Sequence, residues 1–347
     1  MTDDAVVSRP ARRPARRPRN RAARTNWASL AIVCAAAVGV VQFYHPPRSL
    51  LVAPVRAVLA AEPGPDAFGR SGEVKIRFAM PGDRVEYPLE IDGDPTAIRY
   101  QWVDLANGAH VDSARPLDGA ELVVPSRAGF YRLALLQSGA EHTVSGLTVG
   151  VMVPFADKVG ATLNGYRIGT YLTERFGGGR PHPEGFLEVQ PNEASLQLTR
   201  HLRLGDFITH DQHDVWPKYV ALSPRILDKL ELVVGEVARL RGDSARVAMD
   251  LDVDVHSGFR TPWHNGQVKR SARDSQHQYG DAADIAIDAN GDGRITAADG
   301  RIVALAVDAV EREFPDLVGG MGLYTSRRYR TPYVHIDARG HRARWRG

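Results

Sequence analysis

The chain has 347 residues, 43% hydrophobic and 24% charged, with a formal charge of +3, which leaves room for two domains and additional segments. Eight arginines (Arg9, Arg12, Arg13, Arg16, Arg17, Arg19, Arg21 and Arg24) stand in the first 24 residues against Asp3 and Asp4, leaving 36 basic and 39 acidic residues in the rest. Nothing in a body this close to neutral suggests a nucleic-acid-binding face, and the single cysteine, Cys34, excludes an intramolecular disulfide.

Residues 1–27, built on an Arg-Pro-Ala pattern, have no apolar surface to bury and read as a disordered basic tail. Residues 28–44 follow, seventeen mostly apolar residues without a charge, at the short end of a membrane span. Arginines before the span, and fewer after it, predict a cytoplasmic tail and a single pass through the inner membrane, with the body in the periplasm or otherwise outside the cytoplasm. A cleaved signal peptide is the rival, with Val58-Leu59-Ala60 as its site. That site lies well beyond the apolar core, so an uncleaved signal anchor is preferred. Residues 45–71, rich in Pro and Ala, read as a linker.

Residues 72–153 carry short β-rich runs, among them Val74–Phe78, Ile98–Val103 and Tyr131–Leu135, separated by turns such as Pro81-Gly82-Asp83. They predict a small all-β sandwich-like domain, immunoglobulin-like in size, with no catalytic constellation; a spacer is the plain reading. Residues 154–194 read as a connector. In residues 195–347, His210, Asp211, His213 and Asp214 form a polar loop rather than a metal site, and residues 223–241 have the periodicity of a helix that packs behind a sheet.

The chemistry is concentrated further on. Ser275-Gln276-His277-Gln278-Tyr279-Gly280-Asp281-Ala282-Ala283-Asp284 is followed, fifty-one residues after Asp284, by His335. Two imidazoles and a carboxylate are the mixed set that a catalytic zinc accepts while keeping a position open for water. His335 lies in a β-rich run where Tyr333, His335 and Asp337 share a face. Arg260, held by the turn at Thr261-Pro262, presents a planar fork suited to a carboxylate. Directly after Asp284, oxygen side chains fall at positions 1, 3, 5, 9 and 12 of a loop running from Asp288 to Asp299, with Gly293 at position 6 and a helical pattern after it. This is calcium-loop spacing: Asp288, Asn290, Asp292, Arg294 (through its backbone carbonyl) and Asp299 would hold Ca2+ in a structural role. The loop resembles those of dockerin modules, which also end in Asp.

Ser-x-His-x-x-Gly-x-Ala-x-Asp with a later His-x-Asp resembles the zinc D-alanyl-D-alanine metallopeptidases, which share a fold with the hedgehog signalling domain. The murein endopeptidase branch is closer. It adds motifs matched here by Ser257-Gly258-Phe259-Arg260-Thr261-Pro262-Trp263-His264-Asn265, by Gly319-Gly320-Met321-Gly322-Leu323-Tyr324 and by Arg342-Ala343-Arg344-Trp345. The resemblance covers residues 195–347. It implies an α+β chain whose C-terminal hedgehog-like zinc domain follows the small β domain and the membrane anchor. His277, Asp284 and His335 would hold zinc and Arg260 would bind a carboxylate or carbonyl of the substrate.

The implied activity is hydrolysis of peptidoglycan stems or cross-links by a zinc-activated water, as a murein endopeptidase or a D,D- or L,D-carboxypeptidase. One departure matters. Pro332 and Tyr333 stand where relatives carry the general base and a second histidine. Asp337 is the candidate base, or else the partner that orients a zinc histidine; Tyr333 is the candidate donor to a developing oxyanion. Pro332 also keeps an alternative alive, a catalytically inactive, zinc-retaining protein that binds the wall or acts as a scaffold.

Overall fold

Strict alternation sets the first half of the fold. In the run Arg99–Asp104, Tyr100, Trp102 and Asp104 are buried while the residues between them face outward, the period-2 pattern of a strand with one face on a core. The computed structural model describes residues 57–59, 68–87, 89–91, 97–118, 121–177, 180–242, 251–326 and 329–347. The basic tail, the apolar stretch 28–44, Cys34 and most of the linker lie outside them. No helix among the described residues is long and apolar enough to cross a membrane.

Six strands, β1 (Ile76–Ala79), β2 (Arg99–Asp104), β3 (His110–Pro116), β4 (Gly129–Gln137), β5 (Ala140–Thr143) and β6 (Thr148–Val151), form one sheet. Its order is β1-β6-β4-β2-β3, with β5 on β4; β6 runs parallel to β1 and the other pairs are antiparallel. A ladder of Arg84–Glu86 with Glu121–Val123 stands apart from that sheet. A core of Tyr87, Trp102, Leu122, Tyr131 and Leu133, among others, is buried here. The Tyr131 hydroxyl donates to the Arg127 carbonyl at 2.8 Å and pins the entry to β4.

The second half is mixed α and β. Strands β7 (Asp254–Ser257), β8 (Ala282–Ala286), β9 (Gly320–Tyr324), β10 (Tyr333–Asp337) and β11 (Ala343–Arg346) form a sheet of order β7-β8-β10-β9-β11. Only β9 and β11 pair in parallel. Helix α1 (Pro224–Arg241) begins at Ser223, whose hydroxyl accepts from the Arg225 amide, and ends at Gly242 in the left-handed region. Helix α2 (Ala297–Glu313) begins in a capping box: Thr296 Oγ1 accepts from Ala298 N–H and Asp299 Oδ2 accepts from Thr296 N–H. Its stripe Val303, Ala306, Val307 and Val310 packs with Leu227, Leu230 and Val234 of α1 in a second core.

Segment 154–194 is no loose connector. Gly185–Val189 pairs with Val153–Pro154 and with Lys218–Val220, and Leu163, Tyr166, Ile168, Tyr171 and Phe186 are buried in the second core. Val74, Ile76 and Phe130 of the β-rich half belong to that same core, and residues 54–347 make up one compact unit.

Candidate metal centre

One row across the second sheet builds the site. Ser257 on β7, Asp284 on β8, His335 on β10, Gly322 on β9 and Trp345 on β11 are successive Cα partners. Directly opposed residues on neighbouring strands point to the same face, so Asp284 and His335 face the same space. His277 arrives from the turn Gln276–Tyr279, which closes at Gly280 with φ +65°. A side chain at Gly280 would collide with the Ala221 carbonyl, so glycine is required there. The His277 carbonyl accepts from Arg260 N–H at 3.1 Å, tying the two motif segments together.

The hydrogen bonds fix which ring nitrogens look inward. His277 Nδ1 bonds to the Gly258 carbonyl at 2.6 Å, leaving Nε2 as the free acceptor. His335 Nε2 bonds to Asp337 Oδ2 at 3.0 Å, leaving Nδ1. Those two inward nitrogens lie 3.1 Å apart, and Asp284 Oδ1 lies 2.9 Å from His335 Nδ1 and 3.3 Å from His277 Nε2. All three residues are buried, and their ligand atoms lie within 4.8 Å of one another. Three acceptors packed together away from water repel one another unless a positive charge sits among them. A proton or a metal ion meets that need, and the donor set fits a metal.

The titration behaviour follows. Burial holds His277 below the ordinary imidazole range. Burial opposes the charged form of His335 too, but its hydrogen bonds to Asp284 and Asp337 outweigh that and raise it. Burial also works against the Asp284 carboxylate, yet the two imidazoles hold it well below the usual range. Of the three groups, His335 is thus the one whose protonated form its surroundings favour.

Asp337 is fully buried and both its oxygens are engaged. Oδ1 accepts from Gly320 N–H at 2.7 Å and Arg339 N–H at 3.1 Å; Oδ2 faces His335, and the Arg339 guanidinium spans both oxygens. A side chain at Gly320 would overlap this carboxylate, which accounts for glycine there. Of the two roles the sequence allowed for Asp337, orienting His335 is the one that uses these contacts, and the role of general base stays open beside it. Tyr333 stacks on Tyr324 at 4.6 Å between centroids and lies 5.5 Å from the His256 ring. Burial, aided by the Asp284 charge, keeps its phenol protonated well above the ordinary range. Arg260 donates from Nη2 to Asp284 Oδ2 and from Nε to Ser257 Oγ at 2.7 Å, so it braces the carboxylate ligand.

Arg260 also borders a cavity of about 190 Å³ with His210, His256 and His264. The sequence placed His210 in a polar loop and gave no role to His256 or His264. Both flank the Ser257–Asn265 motif or lie within it, and that neighbourhood was the available signal. His264 Nδ1 lies 3.4 Å from Asp211 Oδ2. Burial, with His264, His213 and Arg260 nearby, lowers His210.

The loop 288–299 is closed by its own side chains. Asp288 accepts from the amides of Gly291, Asp292 and Gly293, Asn290 from Asp292, Asp292 from Arg294, and Asp299 from Asn290. Its carboxylates do not converge as the His277 group does: among the described residues, His277, Asp284 and His335 are the one group so gathered.

No protein-family model matches the chain, and no curated protein matches it at a significant level. Among solved structures the chain is similar to Sidekick-1 immunoglobulin domains 1-5, at 16% identity and a TM-score of 0.18 over 28% of this chain and 18% of that one. A structure of Sidekick-1 immunoglobulin domains 1-4 matches at 15% identity and a TM-score of 0.18, over 29% and 24%. The chain spans less than a quarter of either relative, and nothing about the site follows from them.

Proposed function

We propose that this protein is a zinc peptidase acting on the peptide stems or cross-links of peptidoglycan, anchored in the inner membrane by residues 28–44 with its body outside. The observation that carries the proposal is the buried, mutually facing set His277 Nε2, His335 Nδ1 and Asp284 Oδ1. Two nitrogens and one oxygen suit zinc with one position left open. Bound there, zinc would polarise a scissile carbonyl and lower the pKa of its water.

The surrounding residues supply the rest. Asp337 holds the His335 ring in the tautomer that presents Nδ1, and Arg260 holds Asp284 in place. Tyr333, neutral and beside the row, can donate to an oxyanion. The substrate class is supported by the Ser257–Asn265, Ser275–Asp284 and Arg342–Trp345 motifs and by the expected location.

The test uses full-length protein. Metal analysis should find about one zinc per chain, and mass spectrometry should find new products from defined cross-linked stem peptides. His277→Ala should lose both. Zinc bound without any product would favour the wall-binding scaffold; a chain that takes up no divalent metal would remove the proposal.

A further inference from the structure

The segment that carries Arg260 and His264 lies between two cavities that share Val268. The first is the histidine-lined cavity beside Arg260. The second, of about 340 Å³, is bordered by Thr170, Arg175, Asn265, Ser271, Arg273 and Gln278, and no carboxylate lines it. Gln278 directly follows the candidate ligand His277, so one turn, Gln276–Tyr279, supplies both a wall of this cavity and a member of the metal centre.

Its walls are fixed. Ser271 Oγ donates to the Asn265 carbonyl at 2.7 Å, Asn265 Nδ2 to the Ala272 carbonyl at 3.0 Å and Gln278 Nε2 to the Arg273 carbonyl at 3.0 Å. The Arg273 guanidinium lies 5.1 Å from the centroid of the Phe176 ring, which holds it without neutralising it. Phe176 itself is 67% exposed, an aromatic surface beside the cavity. Among the described residues neither Arg175 nor Arg273 has a carboxylate partner. Two guanidiniums without an acid partner beside a preformed, acid-free cavity match an anion with planar, paired oxygens.

We propose that this cavity is a carboxylate-binding subsite that holds a free carboxylate of an acidic peptide next to the metal centre. Its place in a reaction rests on the peptidase proposal; the binding itself does not. On that basis the protein selects stem peptides by a carboxylate away from the bond attacked, and amidation of that group would release the peptide.

The experiment separates the two claims. Full-length protein, stripped of metal with a chelator, is titrated with a fluorescent stem peptide bearing a free carboxylate and with the same peptide amidated, by fluorescence anisotropy. The free carboxylate should bind about tenfold tighter, the scale of a charge-assisted pair. The exposed double variant Arg175→Ala/Arg273→Ala should lose that preference while keeping its zinc content and melting temperature. Equal binding of the two peptides, no binding of either, or a preference that survives in the double variant would overturn the subsite. If the preference holds but zinc-loaded protein cleaves nothing, the subsite stands and the peptidase proposal falls; cleavage without the preference does the reverse.

Discussion

Below the pKa of His335, a metal ion entering this site must displace a proton. That ring is raised above its ordinary value because Asp284 and Asp337 outweigh burial, so the metal-free chain keeps it charged to higher pH than a free imidazole. Metal binding releases that proton. Below the raised pKa, apparent zinc affinity should therefore climb about tenfold per pH unit, and it should flatten above. Competition against a chromophoric chelator between pH 5 and 9 measures this; a flat profile throughout would show that His335 is not a ligand. Asp337→Asn separates the two roles open to that residue. As an orienting group its loss should weaken zinc about 10–100-fold; as a general base it would stop turnover and leave zinc affinity unchanged. The face shared by Tyr333, His335 and Asp337 was legible from strand alternation, and so was the donor chemistry. The commitment of Asp337 was not, because Gly320 N–H, one of its donors, comes from a strand that only the folded sheet brings alongside.

Beneath that row, the elements are clamped by a buried ion pair. Lys229 on α1 is fully buried and donates to Glu311 on α2 at 2.8 Å and to the Asp337 carbonyl on β10 at 2.7 Å. Glu311 also accepts from Gly319 N–H and from Arg344, which reaches Asp308 as well. The closing Arg-x-Arg-Trp motif thus docks β11 on α2 while Trp345 lies 5.1 Å from the His335 ring. Burial costs the ammonium its water and lowers Lys229; removing it strands part of Glu311 and frees the Asp337 carbonyl. Lys229→Ala should destabilise by about 3 kcal/mol, read as a lower urea midpoint at unchanged slope. Loop 288–299, whose spacing matches a calcium loop, carries a second expectation at this scale. If Asp288, Asn290, Asp292 and Asp299 reorganise around calcium, millimolar Ca2+ should raise the melting temperature by a few degrees, about 2.7 kcal/mol at a hundredfold excess over Kd. Asp288→Ala should remove the increment, and no calcium effect in the unaltered chain would refute the loop assignment. Helices α1 and α2 were readable from period, since each stripe has one clear apolar face. Segment 154–194 was not. Its buried aromatics are spaced by turns rather than by 2 or 3.6 residues, so nothing periodic announced a core.

At the scale of the molecule, sequence composition suggested domains joined by a connector, whereas packing joins them into one unit. Val74, Ile76 and Phe130 from the β-rich half are buried with Tyr166, Phe186 and Leu230 from the other. Backbone and side-chain bonds cross the same boundary: Lys75 N–H donates to the Leu198 carbonyl at 2.8 Å, and the amides of Arg70 and Ser71 donate to the buried Asp228 carboxylate at 2.9 and 2.8 Å. Domain surfaces that merely touch share no core side chains; here the β-rich half has a core of its own and also buries Val74, Ile76 and Phe130 in the core of the other half, which couples the two. Calorimetry of the protein should therefore show one transition for residues 54–347, with calorimetric and van't Hoff enthalpies in agreement. A fragment beginning at residue 154 loses four core side chains (Val74, Ile76, Phe130 and Val153) and the contacts to Asp228, and should melt lower or aggregate when expressed alone. Two separable transitions, or a fragment as stable as the parent, would mean that the β-rich half is a spacer after all and leaves the metal centre to stand on its own supports.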